Sequence, residues 1–480
     1  MKKVRTRFAP SPTGFMHLGG MRTALYAYIY AKARGGDFIL RIEDTDRERY
    51  VDGAVEVIYQ TLKDGGLIYD EGPDVGGSFG PYVQSERMEI YKKYAELLVE
   101  KGGAYYCFCD KARLEELKKD DENAKYDKHC LNLSKEEVEM RIKRGDSYVI
   151  RQNIPEHGVG TYTDLVFGEI SVDYSDLDDN VLIKSDGMPT YNFANVVDDH
   201  LMEISHVIRG VEYLSSTPKY NLMYDAFGWE RPEYIHLPVI MKDATRKLSK
   251  RYGDANFDDF IAKGFTAPAI MNYIALLGWC PKDNVEKMNL DDMIEKFSLD
   301  GVSKSPSIFD ETKLRWLNGE YLKAMDDEEF FALAKPFFEK SKVYGKFDIK
   351  KLAKLLKSRV EILSEIPEKI DWLAEFNSYD KELFFNKKNK TNSEVAISLL
   401  PEIIESVKGI SDFTNATLFE KLSEKATALG VKTGAFFWVM RIAITSQAVT
   451  PGGATEMAEI LQKEETLRRL QFSFDMLKNS

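Results

Sequence analysis

A strand, a loop and the start of a helix follow one another in Val4-Arg-Thr-Arg-Phe-Ala-Pro-Ser-Pro-Thr-Gly-Phe-Met-His-Leu-Gly-Gly20. Apolar residues and arginines alternate up to Ala9, two prolines and a glycine interrupt the pattern, and a helical pattern begins at about Gly20. Gly35-Gly36 ends the helix, and the apolar run from Asp37 to Ile42 predicts a buried strand. Residues 4–42 therefore predict a β-loop-α-β unit, which is typical of a doubly wound nucleotide-binding fold with a parallel sheet.

The rest of the chain changes character twice. From Gly102 to about Tyr191 it combines clustered cysteines, a charged helical stretch and short strand-like runs, which indicates an insertion into the nucleotide fold. Leu237 to Met241 predicts a further buried strand, and a polar loop follows it. Beyond Asp326 apolar residues recur near a 3.6-residue period, so we expect an all-α unit there.

Composition limits the classes of protein that fit. The chain has 480 residues, of which 44% are hydrophobic and 30% charged, as in folded globular proteins. The net charge of −12 argues against polyanion binding driven by bulk charge, so a nucleic-acid partner has to be bound locally. The N-terminus lacks an apolar stretch and the chain has only four cysteines, so we expect a cytoplasmic protein without membrane insertion. Cys280 lies in an apolar run and is predicted to be in the core.

The loop between the first strand and its helix predicts a phosphate site, because backbone N–H groups and the helix dipole attract anions at that position. Gly19 and Gly20 allow a ring or ribose to approach the backbone, and His17 can donate a hydrogen bond to a phosphate oxygen. Neither the P-loop pattern nor Gly-x-Gly-x-x-Gly occurs in this loop. A kinase-like ATPase or a dehydrogenase therefore finds no support here.

A second loop, Thr245-Arg-Lys-Leu-Ser-Lys-Arg251, is rich in cations. Lys247 and Lys250 are suited to close over a triphosphate and, with Mg²⁺, to neutralise the charge that builds on departing pyrophosphate. Taken by itself, this segment is equally a basic surface loop.

Three cysteines of the insertion, Cys107, Cys109 and Cys130, lie close together in sequence. With Tyr126 or His129 as a fourth ligand they predict a structural zinc site, because zinc prefers soft ligands in a tetrahedron. Free buried cysteines are the alternative.

Together the two loops resemble the paired ATP signatures of class I aminoacyl-tRNA synthetases. His-Leu-Gly-Gly (17–20) is similar to the first signature and Lys-Leu-Ser-Lys-Arg (247–251) to the second. Other motifs resemble the bacterial glutamate–tRNA ligase family, namely Arg-Phe-Ala-Pro-Ser-Pro-Thr-Gly (7–14), Leu-Arg-Ile-Glu-Asp-Thr-Asp (40–46), Pro-Thr-Tyr-Asn-Phe-Ala-Asn-Val-Val-Asp-Asp-His (189–200) and Lys-Leu-Arg-Trp-Leu-Asn-Gly (313–319). The resemblance spans essentially the full length.

This resemblance implies an enzyme that uses ATP with Mg²⁺ to attach L-glutamate to tRNA(Glu) through a glutamyl adenylate. It also implies a monomer and a structural Zn²⁺ in the insertion. One alternative is a non-discriminating enzyme that also charges tRNA(Gln). The other is a non-catalytic RNA-binding paralogue, against which the retained residues His17, Glu43, Lys247 and Lys250 argue. A glutamine–tRNA ligase is expected to have an anticodon region built from β-barrels. The last third of this chain is predicted to be helical, which argues against that family.

The resemblance assigns an α/β fold class, with a Rossmann-type catalytic domain split by an inserted acceptor-binding subdomain and followed by an all-α anticodon-binding domain. The expected segments are the first catalytic half (1–105), the acceptor-binding insertion (106–190), the second catalytic half (191–255), a helical stem-contact subdomain (256–325) and the anticodon-binding domain (326–480). A basic face around Lys354, Lys357 and Arg359 is expected to meet tRNA phosphates.

Site residues follow from the same resemblance. The residues implied as catalytic are His17, Lys247 and Lys250. The residues implied for ATP are Gly14, His17, Gly19, Gly20, Lys247, Ser249 and Lys250. Those implied for glutamate are Arg7, Ala9, Ser11, Glu43, Tyr191, Asn195 and Arg209, and those for zinc are Cys107, Cys109, Tyr126 and Cys130. In this family the arginine before the Ala-Pro-Ser-Pro run binds the side-chain carboxylate, so Arg7 takes that role, and Tyr213 is expected to line the pocket. The first signature departs from the class I pattern at Gly20, where a histidine would supply one more phosphate donor, and bacterial glutamate enzymes commonly show this substitution.

Overall fold

A computed structural model describes residues 3–46, 49–117, 119, 124–248 and 256–479. The chain divides into two compact units. Unit 1 contains Met1–Ile261 and Ala267–Glu311, and unit 2 contains Ala262–Thr266 and Thr312–Ser480.

The first two thirds of the chain contain both strands and helices. The strands are β1 (Arg5–Phe8), β2 (Asp37–Leu40), β3 (Ala104–Cys107), β4 (Val149–Gln152), β5 (Val159–Asp164), β6 (Gly168–Asp173), β7 (Val181–Ile183), β8 (His206–Gly210), β9 (Glu233–Leu237), β10 (Ile240–Met241) and β11 (Ser307–Ile308). The helices up to residue 296 are α1 (Leu18–Lys32), α2 (Ala54–Asp64), α3 (Met88–Glu100), α4 (Lys111–Leu117), α5 (Lys135–Arg144), α6 (Tyr191–Leu201), α7 (Thr217–Phe227), α8 (Phe257–Lys263), α9 (Ala267–Leu276) and α10 (Leu290–Lys296).

Parallel strands form the centre of unit 1. β1 pairs in parallel with β2, and β8 pairs in parallel with β9, which sets Arg209 opposite His236. β1 and β8 lie side by side, since Ser205 donates its backbone N–H to the carbonyl oxygen of Arg5 at 3.0 Å. Helix α1 connects β1 to β2 and packs against both. The predicted β-loop-α-β unit and the Rossmann-type α/β class are therefore confirmed.

The structure differs from the sequence predictions in one strand and in the attachment of one hairpin. The single strand predicted over Leu237 to Met241 is divided, because Pro238 has no backbone N–H and ends β9 at Leu237, and the two-residue strand β10 follows at Ile240–Met241. The hairpin β5–β6 lies inside the segment predicted as the insertion, but it extends the parallel sheet through a pairing of Asp164 with Tyr234 of β9. In the rest of the insertion, β3, β4 and β7 form an antiparallel sheet of their own.

The segment expected as one stem-contact subdomain, 256–325, is divided between the two units. Helices α9 and α10 belong to unit 1, since the hydroxyl of Tyr26 on α1 donates to the carbonyl oxygen of Ala275 at 2.8 Å and its ring packs on Phe297. The chain from Thr312 onward belongs to unit 2. Cys280, expected in the core, is exposed because it lies in the turn that follows α9.

Unit 2 is helical, as predicted. Its helices are α11 (Glu311–Ala324), α12 (Asp327–Phe338), α13 (Ile349–Leu356), α14 (Ile366–Ile370), α15 (Ser393–Gly409), α16 (Asn415–Ala428), α17 (Thr433–Thr445) and α18 (Ala454–Lys478). Apolar residues that recur near the 3.6-residue period, such as Leu352, Leu356 and Leu470, are fully buried in one core. Among the described residues of the whole chain, no helix is long and apolar enough to cross a membrane.

The expected basic face of unit 2 carries less charge than its sequence implied. Lys354 and Lys357 place their ammonium groups 3.4 and 2.8 Å from the carboxylate of Asp327. The sequence pattern did not reveal this pairing, because Asp327 lies on the neighbouring helix α12.

A buried group of charges ties helix α6 to the rest of unit 1. Asp198 accepts hydrogen bonds from Arg87 at 2.8 Å and from Gln84 and the Tyr91 hydroxyl at 2.9 Å each. The next residue, Asp199, accepts from Arg7 and Arg41. Charged side chains are stable at this depth only when they are paired and hydrogen-bonded. We call Arg7, Arg41, Glu43, Arg87, Asp198 and Asp199 the buried charge cluster.

We expect Asp198→Ala to lower the free energy of unfolding of unit 1 by about 3–5 kcal/mol, because it leaves Arg87 buried without its carboxylate. Asp225→Ala is the control, since it removes an exposed pair with Arg231 and should change stability by no more than about 0.5 kcal/mol. Thermal and urea unfolding of both variants measures the difference. Equal shifts would contradict the structural role of the cluster.

Candidate active site

A cavity of about 850 Å³ opens at the carboxyl ends of the parallel strands. Arg7 and Phe8 end β1, Glu43 follows β2, and Arg209 and Gly210 end β8. This edge of an open parallel sheet is where such folds bind ligands, because the loops that leave the strands diverge there. The volume suits an amino acid together with part of a nucleotide.

The cavity collects most of the side chains assigned to glutamate. Those that line it are Arg7, Ala9, Ser11, Glu43, Tyr191 and Arg209. Tyr213 lines it as well, with its ring 5.5 Å from that of Tyr191. Asn195 does not line it but lies one turn beyond Tyr191 on α6, buried, and its amide nitrogen has no hydrogen-bond partner in the described chain.

Arg7 already has a carboxylate partner within the protein. Its Nε and Nη2 lie 3.0 and 3.2 Å from the two carboxylate oxygens of Asp199, and Nη1 lies 3.3 Å from the carbonyl oxygen of Ile208. Burial raises the pKa of Asp199, but Arg7 and Arg41 outweigh it and hold that pKa below its usual value. Arg7 therefore presents a guanidinium whose charge is largely balanced.

Glu43 is the buried carboxylate of the cavity. It is 4% exposed and accepts a hydrogen bond from Arg41 at 3.0 Å. Burial raises the pKa of Glu43 to about 7, although Arg41 and Arg7 act to lower it. The group therefore changes charge close to neutral pH.

Arg209 is a buried cation of the cavity that lacks an acidic hydrogen-bond partner in the described residues. Its Nε donates to His236 Nε2 at 3.1 Å and its Nη2 donates to the Thr217 hydroxyl at 2.7 Å. The rings of Tyr213 and Tyr220 lie 4.9 Å from the guanidinium carbon. These contacts hold the guanidinium in place and leave its positive charge unneutralised.

A second cavity of about 460 Å³ adjoins the first, and the two share Gly20, Thr23 and Gly210 in their linings. His17, Gly19 and Lys247 line the second cavity, so the two distant loops meet there. Ser249 and Lys250 lie outside the described residues. Gly14 lines neither cavity and takes a φ of 112°, a backbone conformation that favours glycine.

His17 has a defined hydrogen-bonding state at the start of α1. Its Nδ1 accepts the backbone N–H of Gly19 at 3.1 Å and thereby caps the helix. A backbone N–H always donates, so Nδ1 is unprotonated and Nε2 carries the proton of the neutral ring. Nε2 is therefore a hydrogen-bond donor beside the positive end of the helix dipole.

The cysteines of the insertion converge on one point. The sulfurs of Cys107, Cys109 and Cys130 all lie within 4.8 Å of one another. The Tyr126 hydroxyl lies 3.2 Å from the Cys107 sulfur and 3.1 Å from the Cys109 sulfur. His129 is exposed and outside this group, so of the two candidates for a fourth ligand, only Tyr126 is placed to complete it.

The sequence models of two known protein families match the chain. One is "tRNA synthetases class I (E and Q), catalytic domain", over residues 3–316, and the other is "Anticodon binding domain", over residues 329–473. The glutamate–tRNA ligase of Clostridium kluyveri is 55% identical over 482 residues, covering 100% of this chain and 99% of that protein. The chain belongs to the glutamate–tRNA ligase family.

Other members of the glutamate–tRNA ligase family agree with this. The enzyme of Clostridium tetani is 54% identical and covers 99% of this chain and 98% of its own length. A crystal structure of a glutamate tRNA ligase from Elizabethkingia meningosepticum in complex with its amino acid matches with a TM-score of 0.89 at 35% identity, covering 99% of this chain and 100% of that one. The resemblance noted from the motifs is therefore confirmed, and so is the fold class.

The motifs of this glutamate–tRNA ligase family member did not reveal the roles of four residues, Asp164, Asp198, Asp199 and His236. Asp198 and Asp199 lie inside a quoted motif and gave a signal, since two adjacent acids in an apolar helix need cationic partners. Asp164 and His236 gave none, because they are 72 positions apart and neither belongs to a motif that we recognised.

Proposed function

We propose that this protein attaches L-glutamate to tRNA(Glu) in an ATP-dependent reaction with a glutamyl-adenylate intermediate. The observation that carries the proposal is the pair of adjoining cavities. One contains the buried acid and the arginines suited to an amino dicarboxylate, and the other contains His17 and Lys247. An amino acid and a nucleotide bound there would meet at the shared residues Gly20, Thr23 and Gly210.

Glutamate fits the first cavity by charge. Arg209, whose charge has no acidic hydrogen-bond partner, binds a substrate carboxylate, and Arg7 contributes a guanidinium to the side-chain carboxylate while it stays fixed by Asp199. Glu43 accepts from the substrate ammonium. Ser11 and Tyr191 complete the pocket lining. Asn195 lies outside this lining, one turn beyond Tyr191 on α6, and we propose its unsatisfied amide nitrogen as a donor to a substrate oxygen or to an ordered water next to it.

ATP fits the second cavity. Among the described residues, and apart from the backbone of its own helix, the atom nearest to a Cβ at Gly20 would be the Cγ of Met16 at 3.9 Å, so this residue leaves space for a ligand. His17 donates from Nε2 to a phosphate oxygen, and Lys247 with Lys250 neutralises the departing pyrophosphate. Mg²⁺ arrives with ATP and supplies further positive charge to its phosphates.

The reaction then proceeds in two balanced steps. An α-carboxylate oxygen of glutamate attacks the α-phosphorus of ATP, and the bond to the β-phosphate breaks to release pyrophosphate. A hydroxyl of the terminal adenosine of the tRNA then attacks the acyl carbon, loses its proton and displaces AMP. The protein's part is positioning and charge stabilisation.

For the tRNA, we propose that the insertion receives the acceptor end and that the helical unit binds the anticodon. The named relatives are glutamate–tRNA ligases, so the alternative of also charging tRNA(Gln) is not favoured. A non-catalytic paralogue is not favoured either, since His17, Glu43 and Lys247 remain at the cavities.

We also propose that the three sulfurs of the insertion and the Tyr126 hydroxyl hold one structural Zn²⁺. Three soft donors and one oxygen on a strand and its following loop form the ligand set of a closed site. Zinc there would tie Cys107 and Cys109 to Tyr126 and Cys130, and it takes no part in the chemistry.

The Lys247→Ala variant should lower glutamate-dependent ATP–pyrophosphate exchange, measured in the presence of tRNA(Glu), about 100-fold. The reason is that it removes a cation from the departing pyrophosphate. Lys250→Ala should act in the same way. The control is Lys282→Ala, an exposed lysine outside both cavities. If exchange by Lys247→Ala and Lys250→Ala equals that of the wild-type protein, while tRNA still binds, the proposed role of this loop is wrong.

The pKa of Glu43 near 7 predicts a pH-dependent KM for glutamate. As the pH falls below 7, Glu43 is protonated and loses the charge that binds the substrate ammonium. The KM for glutamate should therefore rise about tenfold from pH 7.5 to pH 6, whereas the KM for ATP stays nearly constant. The Glu43→Gln variant should show a high KM at every pH. If the KM of Glu43→Gln for glutamate still rises between pH 7.5 and pH 6 as in the wild-type protein, another group causes the rise and the proposed role of Glu43 is wrong.

The purified protein should contain about one zinc per chain by elemental analysis. Cys130→Ser should lose most of this zinc and lower the midpoint of thermal unfolding, because it removes a buried ligand. Cys280→Ser is the matched control, since that cysteine is exposed and outside the sulfur group. Zinc-free wild-type protein, or equal zinc contents in the two variants, would contradict the proposal.

A further inference from the structure

Arg209, His236 and Asp164 form a continuous hydrogen-bonded row that starts at the glutamate cavity. Arg209 Nε lies 3.1 Å from His236 Nε2, and His236 Nδ1 lies 2.7 Å from a carboxylate oxygen of Asp164. The three residues are 7%, 0% and 1% exposed. The sheet sets this alignment, since Arg209 and His236 are opposite each other on β8 and β9 and Asp164 ends the next strand, β5.

The chemistry of the neighbours fixes one tautomer of His236. A guanidinium has only donors, so Nε2 of the imidazole accepts. A carboxylate has only acceptors, so Nδ1 carries the proton. Burial and the nearby Arg209 lower the pKa of His236, with the Asp164 bond acting in the opposite direction, and the ring is therefore neutral at physiological pH.

Asp164 is itself held by the backbone. One of its oxygens accepts the N–H groups of Val166 and Phe167 at 2.9 and 2.8 Å, and the other also accepts the N–H of His236 at 3.0 Å. The orientation of the carboxylate, and through it that of the imidazole, is thus set by the turn after β5.

The far end of Arg209 faces the substrate. Nε and Nη2 are occupied by His236 and Thr217, and Nη1 has no hydrogen-bond partner in the described chain. The Thr217 hydroxyl donates in turn to the carbonyl oxygen of Tyr213 at 2.8 Å, so it has to accept from Arg209. The row therefore presents one edge of the guanidinium in a fixed direction towards the cavity.

We propose that His236 and Asp164 are positioning residues that aim Arg209 at a carboxylate of the bound glutamate. This inference rests on the proposed function. A neutral imidazole orients Arg209 without cancelling its charge, whereas an acid in direct contact would cancel it, as Asp199 does for Arg7. The carboxylate of Asp164 contacts His236 and not Arg209. It therefore fixes the tautomer of His236 and leaves the guanidinium of Arg209 positive.

Two amide variants of His236 test separately its hydrogen bond with Arg209 and its hydrogen bond with Asp164. Glutamine places its amide near the position of Nε2, so His236→Gln retains an acceptor for Arg209 and should keep the KM for glutamate within about threefold of the wild-type value. Asparagine places its amide near Nδ1, so His236→Asn retains the bond to Asp164 but loses the acceptor, and should raise that KM about tenfold. In both variants the KM for ATP should be unchanged.

His206→Asn is the matched control, because His206 is a half-buried histidine at the start of β8 and has no contact with the row. A merely structural role of His236 would lower the fraction of active enzyme and the apparent kcat, without a selective change in the KM for glutamate. An unchanged KM for glutamate in His236→Asn, or an equal rise in the Asn and Gln variants, would overturn the inference.

The wild-type protein provides a test that does not depend on the folding of any variant. Nitrogen NMR of histidine-labelled protein at pH 7.5 should give His236 as a neutral ring with the proton on Nδ1 and an accepting Nε2. A proton on Nε2 would overturn the inference even if charging is normal. If the wild-type protein forms no glutamyl-tRNA, the proposed function fails first and the inference fails with it.

Discussion

The pairing of two adjacent acids on α6 with arginines from other parts of unit 1 is the constraint on which the active site depends. Asp198 binds Arg87, and Asp199 binds both Arg7 and Arg41. These bonds connect the end of β1, the segment after β2 and the start of α3 to one helix. Buried charges tolerate little displacement, because each lost partner leaves a costly desolvated ion. The cluster thereby fixes the relative positions of the strand ends from which the cavity is built.

The same cluster sets the charge of the larger cavity, to which we assign glutamate. Within it, Arg7, Arg41 and Arg87 face the carboxylates of Glu43, Asp198 and Asp199, so the charges balance when Glu43 is ionised. Arg209 adds a positive charge without an acidic hydrogen-bond partner. A ligand with two carboxylates and one ammonium has a net charge of −1, which matches this excess. Because Glu43 titrates near neutral pH, the match depends on pH.

Sequence periodicity and helix-breaking residues correctly predicted the parts of the fold that depend on neighbouring residues in the chain. The β-loop-α-β unit, with Gly35-Gly36 after α1, follows from periodicity and backbone-breaking residues, and the helical last third follows from its 3.6-residue period. Long-range pairing was not accessible in the same way. The attachment of β5 to β9 depends on a single pairing of Asp164 with Tyr234, and the membership of α9 in unit 1 depends on its packing against α1. Most of the residues that the motif resemblance assigned to the glutamate substrate line one cavity. The resemblance did not indicate that Arg7 is paired with Asp199 or that Arg209 donates a hydrogen bond to His236.

The contrast between the two arginines shows how one sheet edge can assign different tasks to the same side chain. Arg7 is bound on two of its nitrogens by a carboxylate, so it is rigid and nearly neutralised. Arg209 is bound by an imidazole, a hydroxyl and aromatic faces, so it is rigid and still positive. A guanidinium attracts an anion less strongly when a neighbouring carboxylate already cancels part of its charge. A guanidinium that is already rigid loses less conformational entropy when it binds the anion. Arg209 has both advantages, so the proposed function assigns to it the stronger attraction for a substrate carboxylate. Arg7, with its charge balanced, contributes direction and shape more than attraction.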